Sequence, residues 1–117
     1  VHRDLTWEAS IESWEWVLGV DLWGPIYGVH SFVPRMRASG EPGHVVNTAS
    51  TAGILAFPSI ASYDVAKQGV VALSEALLAD AMAANVPLRA SVLCRLTSAS
   101  STSRIAWRAL ASNCRTA

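Results

Sequence analysis

Tyr63 and Lys67 stand four positions apart in SYDVAKQGV, residues 62 to 70, at the start of a long apolar-periodic segment. On a helix that spacing stacks the two side chains one turn apart on one face, which brings the ammonium to the phenol oxygen. The chemistry this offers is proton transfer by tyrosine. A free phenol titrates near pH ~10, and bringing it to about 7 requires roughly 4 kcal/mol. One positive charge at about 4 Å supplies about that much at an effective dielectric near ~20. A single well-placed lysine therefore makes the tyrosine a useful acid or base near neutrality. The spacing also occurs in many helices that do no chemistry, so the pair needs a setting. Ser50 provides one. It ends the run HVVNTAS, residues 44 to 50, and the carboxyl end of a parallel strand is where ligand-binding groups gather, at the same end of the sheet as the start of the following helix.

The elements that position these residues are legible along the chain. Residues 10 to 39 open with an N-cap at Ser10, carry Glu12 and Glu15 in the first turns, and close with Arg35, Arg37 and Gly40, which are helix start and stop signals. Trp14, Val17, Leu18, Leu22 and Trp23 recur at helical spacing, and the opposite side is also apolar from Val20 to Val33. Such a helix needs partners on two sides. Pro25 is expected to bend it by removing a hydrogen bond, while Gly24 and Gly28 would let another helix approach closely. Residues 40 to 43 form a turn, residues 44 to 50 read as a buried strand, residues 63 to 84 as a second helix through Val65, Ala66, Val70, Leu73, Leu77 and Leu78, and residues 88 to 94 as a second buried strand. Strand, helix and strand make a βαβ unit in a parallel sheet. After Cys94 the sequence turns to Ser, Ala, Thr and Arg with weak periodicity, read as irregular or at best a short helix around residues 105 to 110.

Composition excludes several function classes. The 117 residues are 51% hydrophobic and 15% charged with no formal net charge, as in one soluble globular unit. Five basic and nine acidic residues precede residue 95, and four arginines without an acid follow. No run of like charge argues for nucleic acid or an anionic membrane. Residues 16 to 33 carry only Asp21 as a charge, but a mid-span Asp and Pro weigh against a membrane helix. Cys94 and Cys114 lack metal spacing and are too few for a disulfide framework, so the expected compartment is the cytoplasm and no metal site is expected. His2, His30 and His44 are scattered. Trp7, Trp14, Trp16 and Trp23 read as packing residues, and Asn47 as a structural hydrogen-bonding residue in its strand.

Taken together, V-V-N-T-A-S-T-A-G (45 to 53), Y-D-V-A-K (63 to 67) with Ser50 thirteen positions before Tyr63, and V-D-L-W-G (20 to 24) resemble the short-chain dehydrogenase/reductase family over residues 10 to 94. The resemblance implies an α/β fold, a partial Rossmann-like doubly wound parallel sheet, in which residues 1 to 94 are the C-terminal catalytic part. It implies a nicotinamide-dependent oxidoreductase using NAD or NADP on a small carbonyl or alcohol substrate. Tyr63 would be the general acid or base, Lys67 would lower the tyrosine pKa and hold the nicotinamide ribose, and Ser50 would hydrogen-bond the substrate oxygen. Tyr63 and Lys67 would thus also contact the cofactor. Asp21 stands where the family has an asparagine in a proton relay; a carboxylate accepts hydrogen bonds but cannot donate them, and its charge offsets that of Lys67. The family also builds its usual homodimer or homotetramer through helices corresponding to residues 10 to 39 and 63 to 84.

Two parts of the family pattern are missing. No G-x-x-x-G-x-G or G-x-G-x-x-G is present, so the resemblance implies that the N-terminal cofactor-binding half is absent and that Val1 is the edge of a fragment. After Cys94 the family continues with proline, where this chain has Arg95-Leu96-Thr97-Ser98. Restoring one base after an assumed TGC codon returns Cys-Pro, so residues 95 to 117 read as an irregular, frameshifted tail. Two other functions fit parts of the pattern: an inactive fragment that keeps only a helix-helix dimerisation surface, and a Ser-Lys hydrolase through Ser50 and Lys67 that leaves Tyr63 idle.

Overall fold

The computed structural model describes residues 3 to 96 and 104 to 108. The first helix, α1 (Ile11–Asp21), starts where the Ser10 hydroxyl accepts the Ser13 N–H at 3.2 Å. The second, α2 (Trp23–Ser39), ends at Gly40, whose φ of 70° is the left-handed cap that glycine adopts without a Cβ penalty. The segment expected to be one helix bent at Pro25 is therefore two helices joined at Leu22. Pro25 still explains the break. It has no N–H to give to the Asp21 carbonyl four residues back, and its ring crowds that carbonyl, so the interruption falls before the proline. Pro25 itself sits in the first turn of α2, where the N–H has no intrahelical partner to lose.

Strand β1 (Gly43–Ser50), helix α3 (Ala61–Ala83) and strand β2 (Leu88–Leu96) form the expected βαβ unit, with β1 and β2 parallel from Gly43 opposite Leu88 to Ser50 opposite Arg95. Strand β3 (Arg104–Arg108) adds to the other edge of β2 in antiparallel register, giving the order β1-β2-β3. This corrects the reading of the tail: Arg95 and Leu96 extend β2, and residues 104 to 108 are strand, not helix, while residues 109 and 110 lie outside those described. A helix of one to two turns has to nucleate alone, whereas the edge of β2 offers a row of backbone donors and acceptors to a segment containing Ile105 and Trp107.

Helix α3 covers one face of the sheet. Val70 and Val71 pack with Ala49, Val92 and Cys94, and Leu22 closes that cluster from the α1–α2 junction. Further along α3, Leu77 and Ala81 pack with Leu88 and Ala90, joined by Val29, Val33 and Met36 of α2. The strands, expected to be buried, alternate instead: Val45, Asn47 and Ala49 turn toward α3, while His44, Val46 and Thr48 are exposed. His44 Nε2 lies 2.8 Å from Ser91 Oγ on the uncovered face. Two packing expectations are also corrected. Nothing lies within 4 Å of a Cβ built at Gly24 or Gly28, and Trp7, Trp16 and Trp23 are exposed. Helical period says which residues share a side, not whether that side meets a partner. No helix among the described residues is long and apolar enough to cross a membrane.

Candidate active site

Ser50 leaves β1 in extended conformation and caps the 3-10 turn Thr51–Gly53, its hydroxyl oxygen accepting the Ala52 N–H at 3.4 Å. Thr51 Oγ1 donates to the Arg95 carbonyl at 3.2 Å, which ties the turn to the end of β2. Gly53 seats it on α3. A Cβ at residue 53 would lie 3.0 Å from the Lys67 carbonyl oxygen and 3.0 Å from a Val71 methyl, a close approach that only glycine permits without a shift. The Ser50 turn thus rests on the turn of α3 that carries Lys67.

Lys67 Nζ lies 2.9 Å from Asp21 Oδ1 and 5.4 Å from the centroid of the Tyr63 ring. The ammonium therefore faces both a carboxylate and an aromatic ring, the second at cation–π range. The side chains of Lys67 and Asp21 are 12% and 25% exposed, so the pair is partly desolvated but keeps some access to water. Asp21 reaches α3 because it is the last residue of α1, and because Leu22 beside it packs on Gly69, where a Cβ would come within 2.8 Å of the leucine Cδ1. The helix break at Leu22 and the small residue at 69 together bring Asp21 onto Lys67. Of the four site residues expected from sequence, Tyr63 and Lys67 thus lie on α3, Asp21 meets Lys67 from the end of α1, and Ser50 ends β1 just before the turn that Gly53 seats on α3.

Sequence reasoning missed Asp64. This carboxylate, 4% exposed, accepts the Phe57 N–H through Oδ2 at 2.9 Å, and its Oδ1 is buried without a hydrogen bond. The only signal was an acid placed immediately after Tyr63 in an otherwise apolar helical turn. The role expected of Asn47 is observed: its Nδ2 donates to Ser74 Oγ at 2.9 Å, and Ser74 Oγ donates to the Val70 carbonyl at 2.8 Å, which satisfies a hydroxyl at the centre of the core. Among the described residues, no group of three or more His, Cys, Asp or Glu side chains is placed to hold a metal ion.

The residues at this corner fit one end of a nicotinamide dinucleotide. The Lys67 ammonium over the Tyr63 ring, together with the phenol hydroxyl of that residue, offers charge, donor and acceptor to the vicinal hydroxyls of a ribose. They do not fit the diphosphate. A phosphate cradle needs glycines whose backbone N–H groups face open space at a helix N-terminus. Gly53 and Gly69 face α3 and Leu22, and Gly43 faces Met36 and Leu88. Gly19, Gly24 and Gly28 lie within α1 and α2, and Gly40 caps a helix C-terminus.

Comparison with known proteins converges on one description. Residues 2 to 106 match the family profile of short chain dehydrogenases. A cyclohexanol dehydrogenase of Acinetobacter sp. is 44% identical over 71 residues, 61% of this chain and 28% of that protein. A C alpha-dehydrogenase of Sphingobium sp. is 38% identical over 68 residues, 58% of this chain and 22% of that protein. Among solved structures, a short chain dehydrogenase/reductase from Burkholderia phymatum in complex with NAD superposes with a TM-score of 0.78 at 40% identity, over 81% of this chain and 34% of that one. The chain spans about a quarter of the length of these two curated relatives.

Proposed function

The chain belongs to the short chain dehydrogenase family, and from that membership we propose that it is the catalytic part of an NAD(P)-dependent oxidoreductase acting on a small carbonyl or alcohol substrate. The observation that carries the reading is the seating of Lys67 against Tyr63, with the turn of Ser50 resting on the same turn of α3. When bound, the nicotinamide supplies a hydride to the carbonyl carbon or takes one from the alcohol carbon. The chain's residues handle the oxygen. In reduction, the Tyr63 hydroxyl gives its proton to the carbonyl oxygen while the Ser50 hydroxyl donates a hydrogen bond to the same oxygen. In oxidation, Tyr63 takes the proton from the alcohol. Lys67 stabilises the phenolate and holds the ribose hydroxyls, and Asp21 fixes the ammonium while offsetting part of its charge.

The test is nicotinamide-dependent hydride transfer by the folded full chain to a panel of simple ketones, alongside direct binding of reduced nicotinamide. Tyr63→Phe is expected to lower turnover about 10²- to 10⁴-fold with binding retained. Equal turnover in Tyr63→Phe, or neither binding nor turnover in the unmodified chain, overturns the reading.

A second reading rests on a different observation. Trp16, Val20, Trp23, Tyr27 and Phe32 are exposed along α1 and α2, and an apolar row of this kind marks an interaction surface. In that reading the chain is a dimerisation piece that associates through α1, α2 and α3 without turnover. Concentration-dependent association in the absence of nicotinamide binding favours it.

A further inference from the structure

Residues 54 to 60 join the turn of Ser50 to the turn of Tyr63. They expose three large apolar side chains, Ile54, Leu55 and Phe57, beside a corner otherwise built from hydroxyls, an ammonium and a carboxylate. Within this loop Ser59 has a φ of 65°, a left-handed conformation that a non-glycine residue takes only when its surroundings impose it. One contact that imposes the loop's shape is the hydrogen bond from the Phe57 N–H to Asp64 Oδ2 at 2.9 Å.

Asp64 is an expensive way to hold a loop. Its other oxygen is buried without a hydrogen bond, and a buried carboxylate that is half satisfied destabilises a fold relative to a small neutral residue. Stability alone therefore does not account for it. Its place in the chain does: Asp64 follows Tyr63 directly, so its carboxylate fixes the loop to the very turn that carries the phenol.

We infer that Asp64 is a positioning residue that pins the loop of residues 54 to 60 to the Tyr63 turn, and so sets how Ile54, Leu55 and Phe57 stand over the reacting oxygen. The substrate class this selects is a ketone or secondary alcohol with an apolar group next to the reacting carbon. The pin is a property of the fold; its effect on substrate rests on the function proposed above.

Two readouts test it, amide hydrogen exchange at Phe57 and steady-state kinetics with an apolar cyclic ketone. In the unmodified chain the Phe57 amide is expected to exchange at least about tenfold more slowly than an unprotected loop amide. Asp64→Ala is expected to remove that protection, to leave Tm unchanged or raised, and to raise KM for the apolar ketone about tenfold with a smaller change in kcat. Asp64→Asn keeps a carbonyl oxygen for the Phe57 N–H and is expected to restore both protection and KM. An unprotected Phe57 amide in the unmodified chain overturns the inference without any variant. So does Asp64→Ala with protection or KM unchanged, and so does a large loss of Tm in Asp64→Ala alone, which makes the residue one of stability. If the unmodified chain transfers no hydride, the function proposed above fails, and the exchange readout still decides the pin.

Discussion

The inner corner where α1 meets α3 and the outer side of α1 and α2 both draw on residues 10 to 39, and they treat side chains in opposite ways. At the corner an isolated acid, Asp21, finds Lys67 at 2.9 Å, and Leu22 finds Gly69 and the core. On the outer side Trp16, Tyr27 and Phe32 are 67%, 63% and 62% exposed, and the aromatic pair Trp23–Tyr27, with centroids 5.5 Å apart, packs only side by side along one helix. At the corner Asp21 and Leu22 find their partners within the chain. The outer side presents apolar area to water, the feature on which the second proposed reading rests. Position along a helix is therefore not what separates site from surface; it is whether α3 lies opposite.

The most damaging way to break the contrast is to unpair the corner. Lys67→Met leaves the Asp21 carboxylate without its cation. Removing one partner of a fully buried pair costs about 3 to 5 kcal/mol, but Asp21 keeps access to water, so we expect about 1 to 2 kcal/mol. The check is chemical denaturation, read as a lowered midpoint at unchanged slope. A midpoint that does not move shows that the corner is no better completed than the outer side. On that outer side, Trp16→Ser with Phe32→Ser removes exposed rings and is expected to change stability by less than about 0.5 kcal/mol per site. The larger response is in association: sedimentation should show less self-association than in the unmodified chain. Equal association by the double variant would mean that the aromatic row is not the contact surface.

The same contrast explains what could be read from the sequence. The place of Ser50 at the end of β1, and of Tyr63 and Lys67 in the first turns of α3, was legible because strand end and helix start can be counted along the chain. Gly40 and Ser10 were legible as caps because their chemistry is local. The break at Leu22 was displaced from its cause, since a proline acts on the carbonyl four residues before it. Exposure of Trp7, Trp16 and Trp23 was not legible, because periodicity assigns a side without naming its neighbour. Asp64 was hidden for a related reason: its partner is a loop N–H, and no repeat in the sequence encodes where a loop's backbone will pass. Strand β3 depended on the free edge of β2, a feature of the assembled sheet and not of residues 104 to 108.

The smallest effect sharpens the contrast at the exposed start of α1. Glu12, fully exposed in the first turn, has its carboxyl held below the ordinary value of 4.5, chiefly by a hydrogen bond from its own backbone N–H and then by the Ser10 hydroxyl, against slight desolvation. A carboxyl whose pKa is lower folded than unfolded binds its proton more tightly in the unfolded chain. Its contribution is therefore complete above the unfolded value and is lost as pH falls through the lowered folded value. The outer side should thus draw a small, acid-sensitive increment from its helix end, where the macrodipole and the cap favour a negative charge, and not from packing. Following the Glu12 side-chain carboxyl by NMR should give a midpoint under 4.5. In Glu12→Gln the decline of stability below that pH should be shallower than in the unmodified chain. A midpoint at or above 4.5, or identical acid limbs for the two chains, would show that this helix end draws nothing from the charge of Glu12.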